Sequence, residues 1–393
     1  MDRRTLLKSS GLLLGGLSLG GVLNRALAQN QASVSVSGSI AAAVVPTETA
    51  PLLLNFNENS LGMSAQARQA VIDALPGAFR YPDAAREALI ERLAAHYQLK
   101  TENITLGNGS SETIQAVIQA AVARAQQQQK KVQLVVPDPT FNYAELYAKP
   151  LGAEIVKVPL NAQLAFDLDV MRQKVSGFDG HSIVYLCNPN NPTATITPAV
   201  SLEGWIKEAP ADTLFIIDEA YAEFVSDPAF KSAVGLVSAG QKNVVVTRTF
   251  SKIYALAGLR IGYGIADAAL IAETENFVSL DNTNTAGAVA ALASLDDKTF
   301  VEVSRKSADV SRAIVTKALD ELGLEYLPSQ ANFVFHKVKG EVKIYQDRMK
   351  QHHVMVGREF PPALGWSRLT LGTPAEMEAF VRVLKDFREK GWV

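Results

Sequence analysis

Lys252 closes the segment Thr247-Arg248-Thr249-Phe250-Ser251-Lys252, directly after the apolar run Val244-Val245-Val246, and Arg260 follows within a short, mostly apolar stretch. A lysine amine can form a Schiff base with an aldehyde. The hydroxyls of Thr249 and Ser251 and the guanidinium of Arg260 suit a phosphate carried by that same aldehyde. An aldehyde that carries a phosphate points to pyridoxal phosphate (PLP) as cofactor.

A second group lies at the end of another apolar run, Phe215-Ile216-Ile217-Asp218-Glu219-Ala220-Tyr221. A carboxylate at the end of a buried strand needs a partner, because an unpaired buried charge is costly. A protonated pyridine nitrogen is such a partner, and the pair would keep the ring an electron sink. Tyr221, three residues on, would reach a ring hydroxyl. An Asp-Glu pair after a strand could instead serve Mg²⁺ in a nucleotide hydrolase, but the chain has no P-loop lysine motif.

Two loops could complete such a site. Gly107-Asn108-Gly109-Ser110-Ser111-Glu112 precedes a long alanine-rich helical stretch, and a helix N-terminus there would offer amide N–H groups to an anion. The same residues would also serve as a plain helix-capping turn. Cys187-Asn188-Pro189-Asn190-Asn191-Pro192-Thr193 reads as an irregular loop whose prolines rule out a regular ladder. An asparagine held there can bond a ring hydroxyl or a substrate carboxylate.

These loops need strands to hold them. Short apolar runs at Val132–Val136, Ile155–Val158, Ile183–Leu186, Leu214–Ile217 and Val244–Val246 read as buried strands, alternating with helical patterns such as Ala65–Leu75, Ala84–Tyr97 and Glu112–Gln128. That alternation predicts an α/β fold with a mostly parallel sheet covered by helices on both faces. From about Asp297 the pattern becomes a long helix, a few strands and a closing helix, which predicts a smaller α+β domain over 297–393 beside a large domain over 66–296. Residues 51–65 read as an N-terminal arm that joins the small domain.

The formal net charge of −2 and the absence of a long basic block give no case for a nucleic-acid partner. Cys187 is the only cysteine, so no internal disulfide can form. His352-His353 resembles a metal pair, but neighbouring residues on a helix or strand point apart, so no metal is expected. Arg3-Arg4, the short apolar stretch Gly11 to Leu23 and Ala26-Leu27-Ala28 follow the order of a twin-arginine-type signal peptide over 1–28. The apolar stretch is too short for an ordinary transmembrane helix. The expected outcome is export to the periplasm, cleavage before Gln29, a flexible tether over 29–50 and no stable membrane insertion. If the signal is not used, the protein stays cytoplasmic.

Taken together, the order and spacing of Gly107–Glu112, Asn188–Thr193, Asp218-x-x-Tyr221 and Ser251-Lys252 through Arg260 resemble those of fold-type I PLP-dependent class I/II aminotransferases. The chain is most similar to the histidinol-phosphate aminotransferase family. Asn55-Phe56-Asn57-Glu58-Asn59, Arg80-Tyr81-Pro82-Asp83, Pro139-Thr140-Phe141 and Arg368-Leu369-Thr370-Leu371-Gly372-Thr373 add to the likeness, which covers about residues 51–393.

The resemblance implies roles. Lys252 would hold PLP and move the substrate proton, and Asp218 would pair with the pyridine nitrogen. Asn191 and Tyr221 would bond the ring oxygen, and Phe141, where the family often has tyrosine, would stack on the ring. Ser110, Ser111, Glu112, Thr249, Ser251 and Arg260 would form the cofactor set around the phosphate. Tyr81 would reach the cofactor of a neighbouring subunit, which implies a homodimer with shared active sites. Arg368 would bind the substrate's anionic group, with Asn191 beside it and Arg358 as a second arginine.

The implied reaction moves an amino group from an amino acid or amino-alcohol phosphate, histidinol-phosphate-like or aromatic, to a 2-oxo acid such as 2-oxoglutarate. A PLP lyase or decarboxylase of the same fold is the alternative, since the fold does not decide which Cα bond breaks. A non-catalytic exported binding protein is a further one, against which the intact Lys252 and Asp218 count. The chain departs from the family at Ser60-Leu61, where proline and often an aromatic stand, and around Arg358. A third departure is Ala194, which replaces a frequent glycine.

Overall fold

The computed structural model describes residues 43–393, so the expected signal peptide and most of the expected tether lie outside the described residues. Within 43–50, Thr47 and Ala50 form an isolated bridge, and Arg382 donates to the carbonyl of Val44.

Eleven strands are found in the described chain. They are β1 (Leu52–Leu54), β2 (Ile104–Gly107), β3 (Val132–Asp138), β4 (Glu154–Pro159), β5 (His181–Cys187), β6 (Thr213–Asp218), β7 (Val244–Thr249), β8 (Gly262–Ala266), β9 (Phe333–Lys337), β10 (Val354–Val356) and β11 (Trp366–Thr370). Seven form one sheet in the order β2-β8-β7-β6-β5-β3-β4. Every pairing in it is parallel except those that β8 makes with β2 and β7. The mostly parallel sheet flanked by helices matches the expected fold class.

The central strands explain themselves. All residues of β5, β6 and β7 are buried, and their apolar runs suit a sheet covered on both faces. The alanine-rich helix Ser110–Gln127 packs on β2, β8 and β7. It begins at Gly109, whose φ of 79° is costly for a residue with a Cβ, and no side chain caps its first amides.

The rest of the described chain holds two small sheets. β1 runs parallel to β10, and β9 pairs antiparallel with β11. Helices Lys298–Leu322 and Pro374–Glu389 pack together, and a second hydrophobic cluster gathers Leu54, Val315, Val334, Tyr345, Phe380 and Phe387. The last helix starts with a Thr373/Glu376 capping box and Pro374 in its first turn. The pairing of Leu52–Leu54 with Val354–Val356 ties the first described strand to the C-terminal elements.

Gly262 explains how the antiparallel strand serves the sheet. It pairs with Gly107 on one side and Thr249 on the other. The C-terminal ends of β2 and β7 therefore meet at the first residue of β8, and a Cβ on Gly262 would collide with the backbone of Ser110.

Candidate active site

At the C-terminal ends of the parallel strands lies a cavity of about 300 Å³. This is where an open α/β sheet places its ligand site. Lys252, Asp218, Tyr221, Asn191, Phe141, Ser110, Ser111, Thr249, Ser251, Arg260 and Arg368 all line it. Three of the expected residues do not. Tyr81 is 77% exposed on a single chain and lies away from the cavity. Arg358 lines a neighbouring chamber instead. Glu112 serves the fold rather than the cofactor. Its carboxylate accepts from the amides of Asn108 and Ser279 and from the Asn282 side chain, tying the turn before its helix to the loop that holds Ser279 and Asn282. An acceptor-only carboxylate occupied in this way fixes the loop and adds nothing to an anion's cradle.

Asp218 is 2% exposed at the end of β6. Tyr185 donates to its Oδ2 at 2.8 Å and Thr247 to its Oδ1 at 3.2 Å. Burial pushes the Asp218 carboxyl up to about 6, while these two donors pull it back. No cationic side chain bonds it among the described residues, so its charge is open to a partner inside the cavity.

Lys252 lines the same cavity, and its Nζ donates to the Phe56 carbonyl at 3.1 Å. The enclosing walls bring its ammonium down to about 8, and Arg368 adds to the effect. Tyr221 accepts from Asn57 Nδ2 at 3.0 Å, and burial pushes its phenol upward.

The anion corner is formed by three loops. Arg260 donates to Ser111 Oγ and to the Asn108 carbonyl, both at 3.3 Å, and to the Ala257 carbonyl at 2.9 Å. Its backbone is left-handed at φ 56°. A Cβ on Gly109 would strike its guanidinium, so the glycine is required for the approach. Thr249 and Ser251 share a hydroxyl–hydroxyl bond of 2.8 Å beside them.

Arg368 is buried. Its Nη1 donates to Asn191 Oδ1 at 2.7 Å and its Nη2 to the Asn55 carbonyl, while its Nε has no partner among the described residues. Burial lowers it to about 10.

The sequence reading missed several contributors. Phe56, Asn57 and Glu58 line the cavity although the motif containing them carried no assigned role. Tyr185 and Thr247 were also missed, yet strand register could have found them. Cys187 and Thr247 are the two neighbours of Asp218 across β5 and β7, and Tyr185 shares the Cys187 face of β5. Ala194 adopts φ 60°, which accounts for the glycine frequent at this point in the family.

The aminotransferase class I and II family model matches residues 49–384. The chain belongs to that family. It is a PLP-dependent transaminase with an amino donor and a 2-oxo acid as substrates. The histidinol-phosphate aminotransferase of Moorella thermoacetica is 34% identical, over 85% of this chain and 84% of that protein. A solved structure from Erwinia carotovora atroseptica, provisionally named a histidinol-phosphate aminotransferase, is 45% identical. It has a TM-score of 0.86 and covers 90% of this chain and 100% of its own. The histidinol-phosphate aminotransferase of Sinorhizobium meliloti, solved in complex with pyridoxal-5'-phosphate, shares the fold. Its TM-score is 0.78 at 24% identity, over 86% and 91% of the two chains.

The transaminase site fits its cofactor by the chemistry of its donors. A buried carboxylate suited to a cationic ring nitrogen and a lysine amine line one cavity, together with a guanidinium, hydroxyls and an uncapped helix start that suit a phosphate. Lys252 offers a direct check. With its pKa near 8 rather than 10.5, its amine is uncharged across the interval where ordinary lysines stay protonated. Competitive labelling of the cofactor-free protein with an amine reagent should therefore give Lys252 half-maximal reactivity near pH 8. A Lys252 profile superimposed on those of surface lysines would overturn this electrostatic picture.

Proposed function

We propose that the enzyme transfers an amino group from an amino acid or amino-alcohol phosphate with a histidinol-phosphate-like or aromatic side chain to a 2-oxo acid such as 2-oxoglutarate. The observation that carries the anionic donor is Arg368, a buried guanidinium without a carboxylate partner among the described residues, opening on the cofactor cavity. The similarity to histidinol-phosphate aminotransferases supports the donor class.

Bound PLP supplies an electron sink for the charge left when a Cα proton departs. Among the described residues Lys252 is the only lysine lining the cavity, and we assign it the covalent hold on the cofactor and then the Cα proton as general base. Asp218 keeps the ring nitrogen protonated, and Tyr221 and Asn191 orient the ring oxygen. Phe141 flanks the ring. Ser110, Ser111, Thr249, Ser251 and Arg260 hold the phosphate, and Arg368 fixes the donor's anionic group. A panel of amino donors with 2-oxoglutarate, followed by cofactor absorbance, tests this directly. Arg368→Leu should lower kcat/KM for anionic donors roughly a hundredfold, the scale of about 3 kcal/mol for a lost charge-assisted pair. Equal kcat/KM for anionic donors in wild type and variant would sink the assignment.

The working unit we propose is a homodimer with shared sites. Phe79, Tyr81 and Leu75 leave 78%, 77% and 58% of their surface exposed within a short stretch, more apolar surface than a solvated turn needs. In this reading Tyr81 reaches the phosphate in the neighbouring subunit. Mixing Lys252→Ala chains with Tyr81→Ala chains should restore one good site per heterodimer. Verified heterodimers that stay inactive would refute the shared site.

We further propose export through the twin-arginine-type segment at 1–28, which carries the folded holoenzyme with its charged cofactor already inserted. N-terminal sequencing of the exported form should begin at Gln29, and Arg3→Lys with Arg4→Lys should hold active, full-length enzyme inside the cell. Wild-type protein found only in the cytoplasm with an intact N-terminus would contradict export.

A further inference from the structure

Asn57 lines the cofactor cavity at 1% exposure, and each of its polar atoms is bonded. The direction of these bonds is fixed from one end. The Asn57 amide N–H can only donate, and it donates to Thr370 Oγ1 at 2.9 Å. That leaves the Thr370 hydroxyl proton for Asn57 Oδ1, at 3.2 Å. With its oxygen so occupied, the Asn57 carboxamide presents Nδ2 to the Tyr221 hydroxyl at 3.0 Å. The Tyr221 oxygen is an acceptor on this side. Its own proton has no acceptor among the described residues, and Tyr221 lines the cavity. Burial pushes the phenol up, so the proton is kept.

Asparagine suits the position on two counts. Its backbone is left-handed at φ 55°, where asparagine is tolerated better than most residues. An aspartate would fit that backbone as well, but a carboxylate only accepts. It would take the Tyr221 proton for itself and turn the hydroxyl away from the cavity. Thr370 shares a face of β11 with Arg368, whose guanidinium holds the Asn55 carbonyl, so one face of one strand fixes both Asn55 and Asn57.

We propose that Asn57 is a positioning residue that makes Tyr221 a one-way donor into the cavity, with Thr370 setting the direction of the relay. The inference rests on the contact assigned above between Tyr221 and the cofactor's ring oxygen, and adds what gives that contact its polarity. A proton donated to the ring oxygen disperses negative charge there. That lowers the proton affinity of the nearby Lys252 nitrogen once it holds the cofactor. Loss of the donor, or of its orientation, should raise the pH at which the resting holoenzyme's absorbance titrates.

The test titrates the visible absorbance of resting holoenzyme, without substrate, in wild type, Asn57→Gly, Thr370→Val, Tyr221→Phe and the Asn57→Gly/Tyr221→Phe pair. Glycine accepts the left-handed backbone, so Asn57→Gly removes the side-chain donor without strain. Lys252, Asp218, Cys187, Glu58, Arg260 and Arg368 line the site in every variant and cancel in the comparison. Asn57→Gly should raise the midpoint by about half a pH unit or more, the scale of one neutral hydrogen bond. Thr370→Val should move it in the same direction by less, and takes the place of Asn57→Gly, alone and with Tyr221→Phe, if the glycine chain does not fold. In the Tyr221→Phe background the second change should add nothing, whereas a residue that only supports the fold would shift both backgrounds alike. An unmoved midpoint in the single variant, or an equal shift in both backgrounds, overturns the relay while the Tyr221 contact stands. A Tyr221→Phe midpoint equal to that of wild type overturns the contact and the relay together.

Discussion

Everything at the site depends on a carboxylate that folding has made expensive. Asp218 sits between Cys187 and Thr247 in the register of β6 with its neighbours, in the middle of three strands buried on both faces. Two neutral hydroxyls soften the cost of its burial. They do not neutralise the charge, and its pKa stays raised at about 6. A protein cation at the same place would have made Asp218 a structural residue. With neutral donors only, the two hydroxyls and the Ala220 amide, a cationic group in the cavity would add the stabilisation that the fold does not supply.

The phosphate corner follows from a topological detail. In an all-parallel sheet the end of β7, with Lys252 just beyond it, and the end of β2, leading to Ser110, would be separated by the end of a third strand. The antiparallel β8 reverses that geometry. Its first residue, Gly262, pairs with both ends at once, and its lack of a side chain lets the helix start at Ser110 come close. Arg260 then enters the same corner from the turn before β8, at the cost of a left-handed backbone.

Much of this was legible in the sequence because buried parallel strands are written as apolar runs that end where chemistry begins. Lys252, Asp218, Asn191 and Arg260 each follow such a run or the loop it opens into. β8 was not legible, since Gly262-Tyr263-Gly264 breaks the apolar pattern for the sake of close packing. Glu112 was misplaced because a carboxylate one turn into a phosphate-facing helix looks like part of the cradle, and only the folded chain brings together the loops it ties. Tyr185 was hidden as one more apolar-looking position in a core strand, because what matters there is a single hydroxyl aimed across the sheet.

Among the described residues two arginines are buried, and they show why local sequence could not sort a neutralised charge from an open one. Arg248 and Arg368 are 8% and 7% exposed. Arg248 bonds Glu219 at 2.6 Å and Glu223 at 2.8 Å, so its charge is spent inside the fold. Arg368 is held by an asparagine oxygen and a backbone carbonyl, which orient the guanidinium and leave its charge whole. Burial without neutralisation raises the free energy of the empty site, and an incoming carboxylate or phosphate relieves it. That difference lies in contacts made across more than 170 residues of chain for Arg368 and about 25–29 for Arg248. A sequence window around either arginine contains neither set, and folding alone decides which of the two lines the cavity.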